Sequence, residues 1–525
     1  MDPHPSSSRR SHEDKPKLLR RRSTVTHISL EQRETLILDT LEQTTVGELT
    51  DAIGFGWYQI HIFAIAFGAL MTEASIIQMV SSLVAAISAD LGVENALAHA
   101  GFVAVVFVGI QVGTVISGLV ADVWGRWWPM VVSYSGMIVF TIAVCITRGL
   151  GAIYPLLFFL GSFAGLCVPC ALITLSEVMP STLRGISGAA IGIAFRVGWL
   201  WAAVGLRLFI PDLQAGPWRW LMLWAAAPAV LFLLLLFVSR AGRQDTPHFL
   251  ASKRRGHALV RTINLMAEMN GRQDLKLLHD GSIQAEATAS SSLREMLSII
   301  VTYPYSLFYV VMVFLFFAKE FVAGGSIAFW PVAFAQLHGF AATTAATKLI
   351  ITVLISFPGV LLAMLVMHWI PRRWTLVLGA SLTGAGALML VGLNGQHWRE
   401  GIVGVVMVQL FFPTWQMVTM LIPNEIFPTQ IRGWAFSLSF FLGRFGSEVA
   451  QLVIHSSHLG FPVVSAALAV SAVVLIFAMP ETKDCELTSF IKSESEIGAT
   501  SGSSLKGLAT VSPDYGSAKP AGHAV

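Results

Sequence analysis

Twelve apolar windows of about 20 residues run along this chain, and they come in two sets of six. A helix of about 20 residues is long enough to cross a hydrocarbon core about 30 Å thick. The first set lies near residues 60–87, 100–120, 128–146, 153–175, 186–209 and 220–238. The second set lies near residues 304–333, 346–368, 374–393, 402–422, 434–454 and 461–479. Charged residues make up only 12% of the chain, against about 25% in soluble domains. The sequence therefore predicts an all-α integral membrane protein with twelve transmembrane helices.

A charged loop motif occurs once in each set of windows. The first copy, Glu177-Val-Met-Pro180-Ser-Thr-Leu-Arg184-Gly185, returns 248 positions later as Glu425-Ile-Phe-Pro428-Thr-Gln-Ile-Arg432-Gly433. A further arginine and glycine follow each copy at the same distances, as Arg196 with Gly198 and Arg444 with Gly446. A repeat at a fixed offset indicates internal duplication, so we predict two pseudo-symmetric six-helix bundles.

Composition divides the chain into five predicted segments. The leader is rich in Arg and Ser and the tail in Ser, Gly and Ala, so neither can bury a core and both are expected to be at least partly disordered. The segments are a cytosolic leader (1–57), an N-terminal bundle (58–239), a cytosolic linking loop (240–302), a C-terminal bundle (303–480) and a cytosolic tail (481–525). Within the linking loop, a basic and partly amphipathic helix is predicted around His257–Leu278.

Basic residues predict the orientation in the membrane. With a cytosolic amino terminus, 26 of the 34 lysines and arginines lie in cytosolic segments, four in the opposite loops and four within the windows. This asymmetry follows the positive-inside rule, so both termini are placed in the cytosol. Plasma membrane and intracellular vesicle membrane both stay open. No basic patch is interleaved with base-stacking aromatics, so the net charge of +3 does not indicate a nucleic acid partner.

Four motifs resemble those of the major facilitator superfamily, in the branch of synaptic-vesicle-2-related transporters near the organic-ion and sugar porters. They are Val46–Gln59, Gly118-Leu-Val-Ala-Asp122-Val-Trp-Gly125-Arg126, the doubled Glu-x-x-Pro-x-x-x-Arg-Gly and Pro480-Glu481-Thr482-Lys483. The resemblance covers about residues 46–483. It implies a twelve-helix secondary transporter that works by alternating access on a small organic solute. We expect a monomer in the lipid bilayer, without a cofactor.

Three departures from the family pattern weaken a sugar-porter assignment, which stays an alternative. The motif after the sixth span is Asp245-Thr246-Pro247-His248, Phe158 or Phe159 replaces an arginine of the fourth span, and the second loop motif is reduced to Pro371-Arg372-Arg373-Trp374. The alternative from another class is a receptor or trafficking protein that keeps a transporter fold. No nucleophile, base and oxyanion-donor set is present in the sequence pattern, so an enzyme is not predicted.

The loop charges are predicted to form a cytosolic gate. Glu177 is placed to accept a hydrogen bond from Arg126, and Asp122 from Arg184, when the two bundles close. The alternative is that short charged loops only anchor helix ends at the membrane interface. The predicted gate residues are Gly118, Asp122, Gly125, Arg126, Glu177, Pro180, Arg184, Gly185, Arg372, Arg373, Glu425, Pro428, Arg432 and Gly433.

Ionisable residues inside the windows are candidate solute or proton sites, because a charge at bilayer depth is costly unless it is paired or wetted. Glu73 and Glu320 lie midway along the first and seventh windows, on opposite sides of the expected central cavity. Lys319 is adjacent to Glu320, and since neighbours i and i+1 do not face each other on a helix, Glu73 is its predicted partner. Proton coupling through Glu73 is the functional interpretation, and a static structural network is the alternative.

The repeated arginines are the other charged candidates. Arg444 and Glu448 share a helix face at i, i+4, so one interpretation is that they pair with each other. Arg196 has Leu200 where such an acid would fall, so that pair does not explain the repeat. The resemblance implies that arginine at the position of Arg444 favours a solute bearing a carboxylate.

Uncharged residues complete the predicted solute site. Gln409 and Gln416 are polar at bilayer depth and are candidates to hydrogen-bond either the solute or a neighbouring helix. Aromatic residues near these spans are candidates to line a pocket or simply to pack, namely Trp199, Trp201, Phe329, Trp330 and Trp415. Cys167 and Cys170 have CxxC spacing on an apolar helix, where packing is favoured over a metal site.

Overall fold

The computed structural model describes residues 46–92, 96–213, 216–275, 300–303, 305–336, 344–394, 398–427, 429–456, 460–479 and 481. The predictions for the leader before residue 46, for loop residues 276–299 and for the tail from residue 482 lie outside these described residues. The side chains of Asp122, Arg184 and Arg432 lie outside them as well. The predicted Asp122–Arg184 contact therefore stays a prediction.

The first half of the described chain holds a short helix and a bundle of six long ones. Their bounds are α1 Val46–Ile53, α2 Trp57–Leu91, α3 Ala96–Trp124, α4 Trp127–Ile146, α5 Leu150–Val178, α6 Ser181–Phe209 and α7 Trp218–Val238. Pro180 separates α5 from α6, as expected of a residue that lacks the N–H a helix interior needs. The linking loop contributes α8 Pro247–Ser252, α9 Gly256–Met269 and a 3₁₀ turn at Gln273–Leu275. The loop helix is thus shorter than predicted and ends at Met269, before the left-handed Gly271 at φ +72.

Six further helices form the second bundle. They are α10 Tyr305–Gln336, α11 Ala345–Trp369, α12 Arg372–Met389, α13 Trp398–Ile426, α14 Thr429–Ser456 and α15 Gly460–Ile476, with a 3₁₀ turn at Leu390–Asn394. Within the described residues, ten helices are long and apolar enough to cross a membrane. The other two are α14, which carries Arg444 and Glu448, and α15, an apolar helix of 17 residues. Together they occupy the twelve predicted positions.

Glycines bring the helices of each bundle into backbone contact. Gly109 and Gly113 on α3 face Gly161 and Gly165 on α5, and a Cβ atom at any of the four would overlap a carbonyl oxygen of the other helix. Such spacing of small residues lets membrane helices approach closely, where packing and not hydrophobic exclusion holds them together.

The duplication is visible in this packing. Gly198 on α6 lies against the carbonyl oxygen of Met71 on α2, and Gly446 on α14 lies against that of Phe317 on α10. The two repeated glycines therefore set the same helix contact in both bundles, two residues beyond the repeated arginines.

The helix ends define two faces. We call the end at which residues 177–185 and 425–433 lie the motif face, and the other end the distal face. At the distal face, Arg207 Nε donates to Thr347 Oγ1 at 3.0 Å, and the backbone N–H of Ala346 donates to the carbonyl of Pro211 at 3.0 Å. Both hydrogen bonds join the N-terminal bundle to the C-terminal bundle, so the bundles are in contact at this face.

Candidate functional site

Four ionisable side chains form two ion pairs midway along the helices. Arg444 Nη1 on α14 lies 3.3 Å from Glu73 Oε1 on α2, and Lys319 Nζ contacts Glu320 Oε1 on α10. The side chains of Glu73 and Lys319 are 0% exposed, and those of Arg444 and Glu320 are 9% and 12% exposed. Each charge is therefore compensated by an opposite one, as burial requires.

Neighbouring side chains hold these pairs in place. Ser447 Oγ, one turn from Arg444, donates to the backbone oxygen of Glu320 at 3.0 Å and contacts its Oε2 at 3.3 Å. The Phe440 ring lies 4.8 Å from the guanidinium carbon of Arg444 and 5.2 Å from Lys319 Nζ. The negative face of an aromatic ring stabilises a nearby cation. The centre is therefore a network that includes both α10 and α14.

The predicted partner of Lys319 is wrong, and of the interpretations left open for Arg444 the pair with Glu448 is not formed. Lys319 contacts its neighbour Glu320 and not Glu73, because a flexible four-carbon stem can bend along the helix to an adjacent carboxylate. Arg444 contacts Glu73 and not Glu448, although it shares a face with Glu448. Helix α14 packs against α10 and, across the interface, against α3. This packing places Arg444 beside the fully buried carboxylate of Glu73, whereas Glu448 is only half-buried.

The repeated arginines both reach across to the other bundle. Arg196 Nη2 on α6 donates to Gln416 Oε1 on α13 at 2.9 Å, and Arg444 on α14 meets Glu73 on α2. The Arg196 guanidinium carbon lies 5.2 Å from the centre of the Trp199 ring. At mid-depth, each half of the duplication thus supplies one arginine to the interface between the bundles.

Several buried polar atoms of the centre have no hydrogen-bond partner among the described residues. They are Glu73 Oε2, Arg196 Nε, Trp199 Nε1, Arg444 Nε and Glu448 Oε1. Each unsatisfied buried group costs free energy, so such atoms are candidates to bind a proton, a water molecule or a ligand. In the part of the chain that the structure describes, no group of three or more His, Cys, Asp or Glu is placed to hold a metal ion.

A small cavity lies between the bundles, next to this centre on the distal side. Its lining is mostly apolar with a few amides and hydroxyls, as in sites for small organic molecules. Its volume of about 20 Å³ holds about one water molecule, so an organic solute would fit only after the cavity widens. The lining residues are Gln78, Trp199, Ala203, Ala323, Ser326, Ile327, Trp330, Leu349, Thr352, Val353, Val408, Gln409 and Phe412.

The predicted aromatic and amide candidates therefore have different positions. Gln409, Trp199 and Trp330 line the cavity, whereas Trp201 stacks on Trp224 with ring centres 4.3 Å apart. Two further predicted aromatics are buried in the packing between helices, namely Phe329 and Trp415.

The motif face of the N-terminal bundle carries a compact charge network. The predicted ion pair is present, with Arg126 Nη2 2.9 Å from Glu177 Oε1, and Thr246 also donates to Glu177. Asp245 Oδ1 accepts the backbone N–H groups of Arg126 and Trp127 at 2.9 and 3.3 Å, and so caps α4. Gly125, at φ +92, allows this approach.

The C-terminal bundle repeats this arrangement despite its reduced motif. Arg372 Nε lies 3.2 Å from Glu425 Oε1. Glu481 accepts the backbone N–H groups of Arg372 and Arg373 at 2.8 and 3.1 Å, and so caps α12. Asp245 and Glu481, which sequence reasoning left out of the gate, thus have equivalent positions after the last helix of each bundle.

These networks lie within single bundles. Arg126 and Glu177 tie α4 to α5, and Arg372 and Glu425 tie α12 to α13. The gate hypothesis required the Arg126–Glu177 pair to bridge the two bundles. The pair instead holds together the helices of one bundle.

The linking loop and α1 form hydrogen bonds at the same face. The Asn270 side chain donates to Gly54 O at 2.9 Å and to Gln59 Oε1 at 2.8 Å, and accepts the N–H of Tyr58 at 3.1 Å. Asp51 on α1 accepts the N–H and the hydroxyl of Ser181, at 2.7 and 2.8 Å, at the start of α6. Sequence reasoning had no signal for these contacts, since their partners are 130 or more residues apart.

Comparison with known proteins places this arrangement among transporters. The family model described as sugar (and other) transporter matches residues 55–492. The chain is 25% identical over 473 residues to the putative transporter SVOPL of Mus musculus, covering 84% of this chain and 92% of that protein. It is 22% identical over 406 residues to solute carrier family 22 member 3 of Rattus norvegicus, covering 76% and 69%.

A bacterial relative and a solved structure are also similar to this chain. The probable metabolite transport protein CsbC of Bacillus subtilis (strain 168) is 23% identical over 384 residues, covering 72% of this chain and 79% of that protein. The partially occluded inward open conformation of the xylose transporter XylE from E. coli superposes with a TM-score of 0.65 at 16% identity, covering 82% of this chain and 99% of that chain. At this identity the likeness shows the fold.

Proposed function

Because the chain belongs to the sugar (and other) transporter family of the major facilitator superfamily, we propose that it is a secondary transporter of a small charged organic solute. The observation that carries this proposal is the Glu73–Arg444 ion pair, which is buried and joins the two bundles at mid-depth. Membrane proteins keep ionisable groups at such depth mainly where ions or solutes pass. The retained charges therefore argue against a receptor that keeps only the fold.

Two kinds of contact support alternating access. The motif-face networks lie inside single bundles, which supports movement of each bundle as one body. The Arg207–Thr347 contact joins the bundles at the distal face and has to break when that face opens. Rocking about the central contacts would then expose the cavity to one side and afterwards to the other.

We further propose that protons couple to transport through Glu73. Its Oε1 contacts Arg444, and its Oε2 has no hydrogen-bond partner within the described part of the chain. Protonation removes the negative charge that faces Arg444 and so weakens the contact between the bundles. A proton bound at Glu73 would thereby favour bundle movement.

The proposed topology has the motif face and both termini in the cytosol, in either the plasma membrane or a vesicle membrane. The distribution of basic residues supports it. We propose that a monomer is sufficient, since each chain holds both bundles and the cavity between them.

A sugar is the second candidate solute. The matching family model and the xylose transporter structures favour it, and the amides of Gln78 and Gln409 in the cavity are suited to hydroxyl groups. Charged groups beside the cavity favour an ion over a sugar.

Uptake into proteoliposomes tests the proposal. The purified protein is reconstituted with an imposed proton gradient and offered hexoses, organic cations and organic anions in parallel. We expect uptake of an organic ion above that of empty liposomes, driven by the gradient. Uptake of hexoses alone would support the second candidate, and no uptake of any class would contradict a transport function.

A further inference from the structure

We infer that Arg196 binds the anionic group of the solute, and that the solute is a monocarboxylate with a flat ring. This inference rests on the proposed transport function. It differs from the expectation drawn from family resemblance, which favours Arg444.

The charges at mid-depth support Arg196. Arg444 has the Glu73 carboxylate at 3.3 Å, and Lys319 has Glu320. Arg196 is 3% exposed, and its side-chain partner is the uncharged amide of Gln416. Among the residues with described side chains, no carboxylate lies within ion-pair distance of Arg196. A buried guanidinium without a carboxylate is costly, so an anionic ligand would be bound favourably there.

The position of Arg196 suits a ligand in the cavity. Trp199 and Ala203 line the cavity from α6, and Arg196 lies one turn before Trp199 on the same helix. Phe412 lines it from α13, and Gln416 lies one turn after Phe412. Residues three or four positions apart share a helix face. The Arg196–Gln416 contact therefore lies next to the cavity, one helix turn toward the motif face.

Two buried N–H donors also support an anion site at Arg196. Arg196 Nε and Trp199 Nε1 are buried and have no hydrogen-bond partner in the described ranges of the chain. A carboxylate has acceptor sites for both and for the guanidinium group that now donates to Gln416. Trp199, Trp330 and Phe412 supply ring faces for the rest of the ligand.

Ligand-induced thermal stabilisation of the purified full-length protein tests the inference. The probes are benzoate and nicotinate, their neutral amides benzamide and nicotinamide, and benzylammonium. We expect only the two carboxylates to raise the unfolding temperature. Arg196→Gln should weaken their binding by roughly ten- to a hundredfold, as expected for a lost charge-assisted hydrogen bond. Arg196→Lys should retain part of it.

A second variant keeps Arg196 and distinguishes an anion site at Arg196 from one at Arg444. Gln416→Glu gives Arg196 a carboxylate of its own, so it should abolish carboxylate binding without loss of stability. Arg148→Gln removes the same charge from an exposed loop and should bind as wild type. Retention of binding in both Arg196→Gln and Gln416→Glu, with loss in Arg444→Gln, would assign the anion site to Arg444 instead.

The outcomes also separate this inference from the proposed function. If the wild type binds neither carboxylate, yet proteoliposomes take up organic cations or hexoses, the inference is wrong and transport stands. If no solute class is bound or taken up, the proposed function fails with it.

Discussion

Arg444 on α14 and Glu73 on α2 form a buried ion pair across the interface between the two bundles, with Nη1 and Oε1 3.3 Å apart. The residues are 371 positions apart in the chain. Neither half of the duplication can form this pair alone, because one charge comes from each bundle. We therefore expect stability, and bundle movement in the proposed transport cycle, to depend on it.

The first prediction concerns stability. Glu73→Gln or Arg444→Gln leaves a buried charge without its partner, which typically costs about 3–5 kcal/mol. The double variant removes both charges, so its loss should be clearly smaller than the sum of the two single losses. Denaturant unfolding of the purified protein measures the three differences. Strictly additive losses would show that the two charges do not interact.

An exposed ion pair serves as the control for this cycle. Arg240 and Glu268 are 3.1 Å apart with side chains 60% and 42% exposed. Their single variants should each lose less than about 1 kcal/mol, because solvent screens the pair.

The second prediction concerns pH. Glutamine resembles the protonated carboxyl group, so Glu73→Gln is fixed in the form that does not attract the charge of Arg444. If protonation of Glu73 drives bundle movement, wild-type exchange should rise as the pH falls, and the variant should be fast at all pH values. Exchange of the identified solute in proteoliposomes without a gradient measures this. A variant that keeps the wild-type pH profile would exclude Glu73 as the coupling group, and Glu268→Gln is the exposed control.

Contacts between charged residues of the loop motifs were predictable from the sequence, and contacts at mid-depth between helices of different bundles were not. Apolar length predicts the twelve helix positions, because a bilayer fixes how many residues a span needs. The Arg126–Glu177 pair was predicted because both residues belong to charged motifs at helix ends on the same side of the membrane. The partner of Arg444 was not, because it depends on how α14 packs against the other bundle.

The caps on α4 and α12 show a second limit of prediction from the sequence. Asp245 and Glu481 lie outside the repeated motifs, in segments where this chain departs from the family pattern or where only a short tail motif is present. Any acidic residue that reaches free backbone N–H groups at a helix start can cap it. Comparison of the motifs therefore suggested that the charge network was partly lost, although Asp245 and Glu481 cap the two helices.

The third prediction separates two glycines of the same loop motif. Gly125 has φ +92, and a Cβ there would overlap the Asp245 carboxylate, so Gly125→Ala should displace the cap of α4. We expect a loss of about 1–3 kcal/mol from the strained backbone and lower uptake. Gly118 lies on an exposed side of α3, and a Cβ added there would have no atom within 4 Å. Gly118→Ala should therefore stabilise the helix by up to about 1 kcal/mol. Thermal unfolding and proteoliposome uptake measure both variants, and equal effects at the two positions would contradict the structure.

The last prediction uses the duplication itself. A Cβ at Gly198 would overlap Met71 O, and one at Gly446 would overlap Phe317 O, so alanine at either site forces a helix away from its neighbour in the same bundle. Overpacking of this kind typically costs about 1–3 kcal/mol. Both variants should lower the unfolding temperature to a similar extent and should also shift the arginine that lies two residues before each glycine. Gly151→Ala, where no atom lies within 4 Å of the added Cβ, is the control and should not lower the unfolding temperature. A loss at only one of the two glycines would show that the bundles do not share this contact.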